Sequence, residues 1–164
     1  MTFIEARNCI INSLEKYLGC PVILSDQIAN APEFPYCYYS ILAPRISTHS
    51  FGLRSVEEND GGDYTLKRQE PVKATISFTL CSENRELDDG SYIFGEDEAV
   101  ELVERAHCFF LLAIHNIHAE KGDIVIDRVG AVSKRNNFVV EETVRRYGFD
   151  IQFSYIRTDE MPRQ

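Results

Sequence analysis

No stretch of the 164-residue chain approaches the roughly 20 consecutive apolar residues of a membrane-spanning helix. The opening MTFIEARNCI brings Glu5 and Arg7 in early and has no long apolar segment, so it does not read as a signal peptide. Cysteine is sparse and scattered: five residues, at positions 9, 20, 37, 81 and 108, none in a C-x-x-C pair. An odd, unpatterned set argues against a disulfide framework or a zinc site and for a reducing environment. Basic residues are also short, 17 Lys plus Arg against 26 Asp plus Glu, for a net charge of -9. Such a chain is repelled by phosphate backbones unless its cations gather on one face. The sequence has no G-x-S-x-G, no G-x-x-x-x-G-K-[ST], no G-x-G-x-x-G and no H-E-x-x-H. It implies no cofactor, names no catalytic residue and gives no sign of an enzyme.

What is present is unevenly distributed. Nine acids fall between residues 83 and 104 against Arg85 alone, which places -8 of the total -9 in that stretch. A solvated loop leading into an acidic first helical turn accounts for it, since a helix N-terminus favours carboxylates. An electronegative surface facing a passing or docking partner accounts for it too.

Thr2 and Glu5 have the spacing of a capping box, and apolar residues then recur at helical period until Gly19 and Pro21. PYCYYSILAP, rich in Tyr and Ile and bounded by prolines, reads as a buried strand over about 36–43. Residues 44–63 show little periodicity and carry a Gly61-Gly62 turn signal, so a long loop or hairpin is expected over about 44–70. YTLKRQEPVKATISFTLCS reads as extended over about 64–82, and its second half alternates: Val72, Ala74, Ile76, Phe78 and Leu80 face one way and Lys73, Thr75, Ser77 and Thr79 the other. Pro71 suggests a break and an edge position. A long helix is expected over about 96–119, with Gly122 closing it, and strands over about 124–134 and 145–158. The expected fold is α+β: one antiparallel sheet packed by two helices, in the order α-β-β-α-β-β, forming one domain over 1–164.

Three histidines, His107, His115 and His118, share a face of that long helix with Glu104. His107 lies about 12 Å along the axis from His115, which leaves two imidazoles within reach of one another, too few for a metal site. Adjacent carboxylates at Glu141-Glu142 point to opposite faces if extended, and Asp88-Asp89 sits at a turn beside Gly90.

The run RRYGFDIQFSYIRT raises a choice. Extended, it sets Tyr147, Phe149, Ile151, Phe153 and Tyr155 on one face, with no cation among them. A base-stacking platform needs exposed rings with cations beside them. The pattern fits a core face better, and a small nucleic-acid- or ligand-binding domain using this Arg/aromatic strand remains the alternative.

The succession of an N-terminal helix, FPYCYYSIL, a long segment, VKATISFTLCS, the helix DEAVELVERAHCFFLLAI and the closing RRYGFDIQFSYIRT resembles the neck and tail terminator proteins of tailed bacteriophages. Its most telling piece is E-x-x-x-R-Y-G-F-D, here Glu142, Arg146, Tyr147, Gly148, Phe149 and Asp150. The resemblance implies a structural virion protein of the tail and neck, assembled in the host bacterial cytoplasm. It implies a homo-oligomeric ring, hexameric, that ends growth of the tail tube and joins the tail to the head connector. The expected partners are the tail tube protein and the head-tail connector, with DNA passing through without specific binding and no membrane contact. In this light the 44–70 segment is expected to meet a neighbour through Arg45, Phe51, Arg54, Asp63, Tyr64, Lys67 and Arg68. The acids Glu83, Glu86, Asp88, Asp89, Glu96 and Asp97 are expected to line the lumen and repel DNA from its wall.

Overall fold

A computed structural model describes residues 1–25, 30–46, 51–58, 62–113, 117–135 and 143–163. The first helix, α1 (Phe3–Leu18), starts where the capping box predicts: Glu5 N donates to the Thr2 hydroxyl and Thr2 N donates 2.7 Å to the Glu5 carboxylate. Gly19, at φ +73°, ends it in the left-handed conformation, and Ala6, Ile10, Leu14 and Leu18 form its buried stripe.

Strands follow: β1 (Val22–Leu24), β2 (Tyr36–Ile46), β3 (Leu53–Glu58), β4 (Tyr64–Ser82) and the short pair β5 (Arg85–Glu86) and β6 (Tyr92–Ile93). After helix α2 (Gly95–Leu112) come β7 (Ile117–Ala119), β8 (Gly122–Val129), β9 (Ser133–Lys134) and β10 (Arg145–Arg163). Eight strands form one sheet in the order β1-β2-β4-β10-β8-β7, with β3 added on β4 and β9 on β10; β5 and β6 pair apart from it.

The expected single antiparallel sheet in the order α-β-β-α-β-β is therefore wrong. The sheet is mixed, because β1 runs parallel to β2 in the register Val22↔Cys37, and it curls around two helices with far more strand than six elements hold. A three-residue parallel strand needs a crossover but leaves no alternation to read. β3 was hidden for a different reason: all six of its residues are exposed, so its sequence carries no inside-outside pattern. The long helix also ends early, at Leu112, and Ile117 belongs to a β7-β8 hairpin opposite Ile124. Ile117 keeps the helical period by coincidence, and Gly122 turns a hairpin instead of capping a helix.

Pro71 neither breaks β4 nor puts it at an edge. β4 lies in the middle of the sheet and pairs with β10 without a register shift through Pro71↔Ile156. On its other side β3 pairs up to Gln69 and β2 from Lys73, so the proline falls where one neighbour hands over to the next.

Both helices cover one face of the sheet. Phe78 sits at its centre, with ring centroids 5.2 Å from Phe110, 6.1 Å from Phe149 and 6.3 Å from Tyr39. Phe149, Ile151, Phe153 and Tyr155 are buried in the same layer, so the aromatic face of the closing strand is core and offers no stacking platform. The other face is polar, and Arg135 lies across it, donating to the Ser77 and Thr79 hydroxyls, to the Phe78 carbonyl and to Asp150.

Candidate functional site

β4 and β10 are each 19 residues long and pair from end to end, but the helices cover only the half that runs from Val72 and Tyr155. The other half, Tyr64–Pro71 with Ile156–Arg163, continues beyond them for about 25 Å at the usual strand rise. β3 pairs alongside through Leu53↔Gln69 to Glu58↔Tyr64. The result is a three-stranded wing, β3-β4-β10, with no helix packed across it among the described residues; Met1, Thr2, Glu5 and Lys121 border a cavity of about 550 Å³ against Ser55, Lys67 and Glu160.

Cross-strand rows give the wing its chemistry. Val56, Leu66 and Met161 stand in one row, Arg54, Arg68 and Asp159 in the next on the same face. Ser55, Lys67 and Glu160 occupy the opposite face, where Lys67 bridges Glu57 and Glu160, the latter at 3.4 Å. Phe51 is 81% exposed and Leu53 73%, and Val56, Tyr64, Ile156 and Met161 are also exposed. These large apolar groups make the wing one of the more apolar parts of the exposed surface.

The wing is held where it leaves the core. Glu70, 1% exposed, accepts hydrogen bonds from Arg45 at the end of β2 and from Arg68. Arg68 also donates 2.7 Å to the Phe51 carbonyl, and Arg157 donates 2.8 Å to Asp159. Gly52 lets the chain turn tightly against β4: its φ is +71°, and a Cβ there would stand 2.5 Å from the Gln69 carbonyl oxygen.

All seven residues expected at a subunit contact lie in the wing or at its root, but they divide by role. Phe51, Arg54, Asp63 and Tyr64 are exposed, whereas Arg45, Lys67 and Arg68 are engaged in ion pairs within the chain. Glu70 and the Val56-Leu66-Met161 row were missed. A carboxylate directly before Pro71 inside a strand was the one local hint of the former. The latter depends on register, which is long-range information.

The acidic stretch is less uniform than its charge count. Asp89 accepts the Ser91 amide at 2.9 Å and holds the β5-β6 turn. Glu83 accepts from Thr143 at 3.3 Å. Glu96 is tied to the Tyr147 hydroxyl, Lys134 and Arg145, and Glu98 forms a two-point pair with Arg85 at 2.7 and 2.9 Å. Glu86, Asp88 and Asp97 have no partner among the described residues.

The Tyr147 hydroxyl, then Lys134, hold the Glu96 carboxyl below the ordinary carboxylate range, and Arg85 does the same for Glu98 against the opposing effect of burial. A carboxyl with a depressed folded-state pKa contributes stability that is fully present above the unfolded value and is lost as pH falls through the folded one. Melting temperature is therefore expected to hold down to about pH 5 and to fall below 4.5, the ordinary value. Glu98→Gln should remove about 1 kcal/mol at neutral pH, the pair being partly solvated, and flatten the acid slope. An unchanged slope in that variant would assign the acid sensitivity elsewhere.

The histidines do not converge. His107 lies on α2 with Nε2 3.0 Å from the Gly130 carbonyl and its ring edge-on to Phe149; His118 is on β7 beside Asp123 at 2.8 Å; His115 lies outside the described residues. The described residues include no group of three or more His, Cys, Asp or Glu placed to hold a metal ion, and no helix long and apolar enough to cross a membrane. Glu141-Glu142, with Glu142 of the closing pattern, also falls outside them.

The fold is a helix-backed sheet whose three-stranded, charge-pinned wing extends past its own core. The chain belongs to the phage neck terminator proteins, whose family model matches residues 8–163. It is a structural protein of the bacteriophage tail and neck with a role in tail completion, and it works in contact with other tail and head components. No curated protein matches it. Among the solved structures that match, one is similar over 90% of this chain and 94% of its own, at 10% identity and a TM-score of 0.44, a likeness too distant to argue from.

Proposed function

We propose that the chain, acting as one unit over residues 1–164, closes into a hexameric ring on the head-proximal end of the tail tube. There it ends tube growth and offers its free face to the head connector, having assembled in the host bacterial cytoplasm. The wing supports this reading more than any other feature. A lone subunit leaves about 25 Å of three-stranded ribbon without a helix packed across it, and a ring of identical subunits covers it by repeating one contact. Phe51, Arg54, Asp63 and Tyr64 make that contact, while Arg45, Lys67 and Arg68 hold the wing in shape. The reading assigns the protein no catalytic step.

Glu83, Glu86, Asp88, Asp89 and Asp97 line the lumen and keep DNA from adhering to its wall. Glu96 stands in the same line, with its charge already offset by Lys134 and Arg145.

The test is mass in solution by light scattering with negative-stain images, run on the protein alone and on purified tubes. A closed ring of about six subunits with a central hole is expected, free or seated on tube ends. A phage lacking the protein should make tubes of uncontrolled length that fail to join heads. Normal tube lengths without it would refute the role. Changing Glu83, Glu86, Asp88 and Asp89 to their amides should slow DNA passage and lower infectivity; unaltered infectivity would remove these acids from the lumen.

A further inference from the structure

A ring needs a second surface for the wing to meet, and the structure carries a candidate at the far end of β10. Along α2, Asp97, Glu101, Glu104, Cys108 and Leu111 follow one another at helical spacing, and all are exposed. The three acids have no partner among the described residues. Beside the last turns lies a groove of about 390 Å³ between Glu104, His107, Cys108, Leu111, Val132 and Tyr147. Leu112, 75% exposed, extends its apolar rim.

The wing presents the complement. Arg54 is a wing cation without a carboxylate partner among the described residues; it rests over the Phe51 ring at 5.9 Å. It precedes Val56, the first member of the apolar row, by two strand residues, about 7 Å. On α2, Glu104 precedes Cys108 by about 6 Å and Leu111 by about 10 Å. Charge next to apolar surface thus recurs at matching spacing with opposite sign. The edges of the wing are less suited to pairing: β3 carries Arg54, Glu57 and Glu58, and the end of β10 carries Arg157, Asp159, Glu160 and Pro162, the residues that guard free strands.

One chain cannot join the two surfaces itself. Tyr147 borders the groove and Met161 sits in the wing row, 14 residues apart on one continuous strand and so about 45 Å distant. We propose that the wing of one copy seats its Val56-Leu66-Met161 row in the α2 groove of a second copy, with Arg54 paired to Glu104. This rests on the ring reading. The contact joins two different patches, so it is head-to-tail and closes by rotation.

Charge reversal with rescue tests it. Arg54→Glu and Glu104→Arg should each raise the protein concentration needed for ring formation at least tenfold, and the two together should restore it. A second measurement uses the protein's own exposed thiol: Val56→Cys, with an added oxidant, should link to Cys108 of the neighbour and give a ladder of covalent oligomers on a non-reducing gel. The ladder should vanish in Val56→Cys/Cys108→Ser. Rings that form normally in both single charge variants, or a ladder that survives loss of Cys108, would overturn this docking site and leave the ring intact. A wild-type chain that forms no ring, free or on tubes, would overturn both.

Discussion

Gly148→Ala is expected to destabilise the fold by about 3 kcal/mol or more, although alanine is the smallest possible addition at a strand position. A Cβ there would stand 2.2 Å from the Phe78 carbonyl oxygen and 2.7 Å from Arg135 Nε. The arginine has rotatable bonds and can move aside. The carbonyl cannot: Phe78 is in the ladder between β2 and β10, and its ring anchors the aromatic layer. Relief requires β4 and β10 to shift where they are best packed. For a chain of this size the loss corresponds to a fall in melting temperature of about 10 °C. Adding Arg135→Ala to Gly148→Ala should not restore stability, because the backbone clash remains. Full recovery in the double variant would show that the side chain alone sets the requirement for glycine.

That position explains most of the closing R-Y-G-F-D pattern. Tyr147 sends its hydroxyl to Glu96 at the start of α2, and Gly148 opens the space in which Arg135 lies. Phe149 enters the core, and Asp150 receives Arg135 at 2.8 Å. The Ser77 hydroxyl and Arg135 hold the Asp150 carboxyl below its usual range despite burial, which opposes them. The pattern is a folding device: alternate residues knit the sheet to the helix on one face and to Arg135 on the other.

Parts of this were legible in the sequence and parts were not, and the division follows the range of the interaction. The start of α1 is a four-residue affair between Thr2 and Glu5, and the buried face of β4 shows in the alternation from Val72 to Leu80. The role of Arg135 requires knowing that it meets Ser77, 58 positions away, and nothing near it in sequence says so. The parallel pairing of β1 with β2 is long-range information, and β3 mixes Leu53 and Val56 with charged residues, all exposed, so neither of its faces can be told from the other in sequence. β3 therefore falls inside the long loop or hairpin expected over about 44–70, whereas β4 is legible as extended along its whole length. A segment without a core layer of its own to face does not carry the inside-outside pattern of one that has it. The candidate site was therefore visible as a place in the chain, residues 44–70, while its geometry and its C-terminal third strand were not.

Glu70→Ala is expected to loosen the wing while leaving the core intact. The Glu70 carboxylate holds Arg45 and Arg68, and through Arg68 it also fixes the Phe51 carbonyl and Asp159. Removing one partner of a fully buried pair costs about 3–5 kcal/mol, because an uncompensated charge remains inside. Here the side chains of Arg45 and Arg68 are 40% and 29% exposed, so water takes over part of the lost interaction and the expected cost is about 2 kcal/mol. The wing shares no buried apolar layer with the helices, so the cost should appear as local opening. Amide exchange in residues 53–58, 64–69 and 156–163 should speed up roughly thirtyfold, while Ile76 and Phe78 keep their protection. Glu70→Gln should fall between, since an amide still accepts from the arginines without balancing their charge. On the proposed ring reading, a wing held in shape beforehand has less to lose in ordering on contact, so ring formation should weaken in step with the exchange change. Uniform loss of protection across the sheet would instead make Glu70 part of the core's stability. Unchanged exchange in the wing would show that the arginines hold it without the carboxylate.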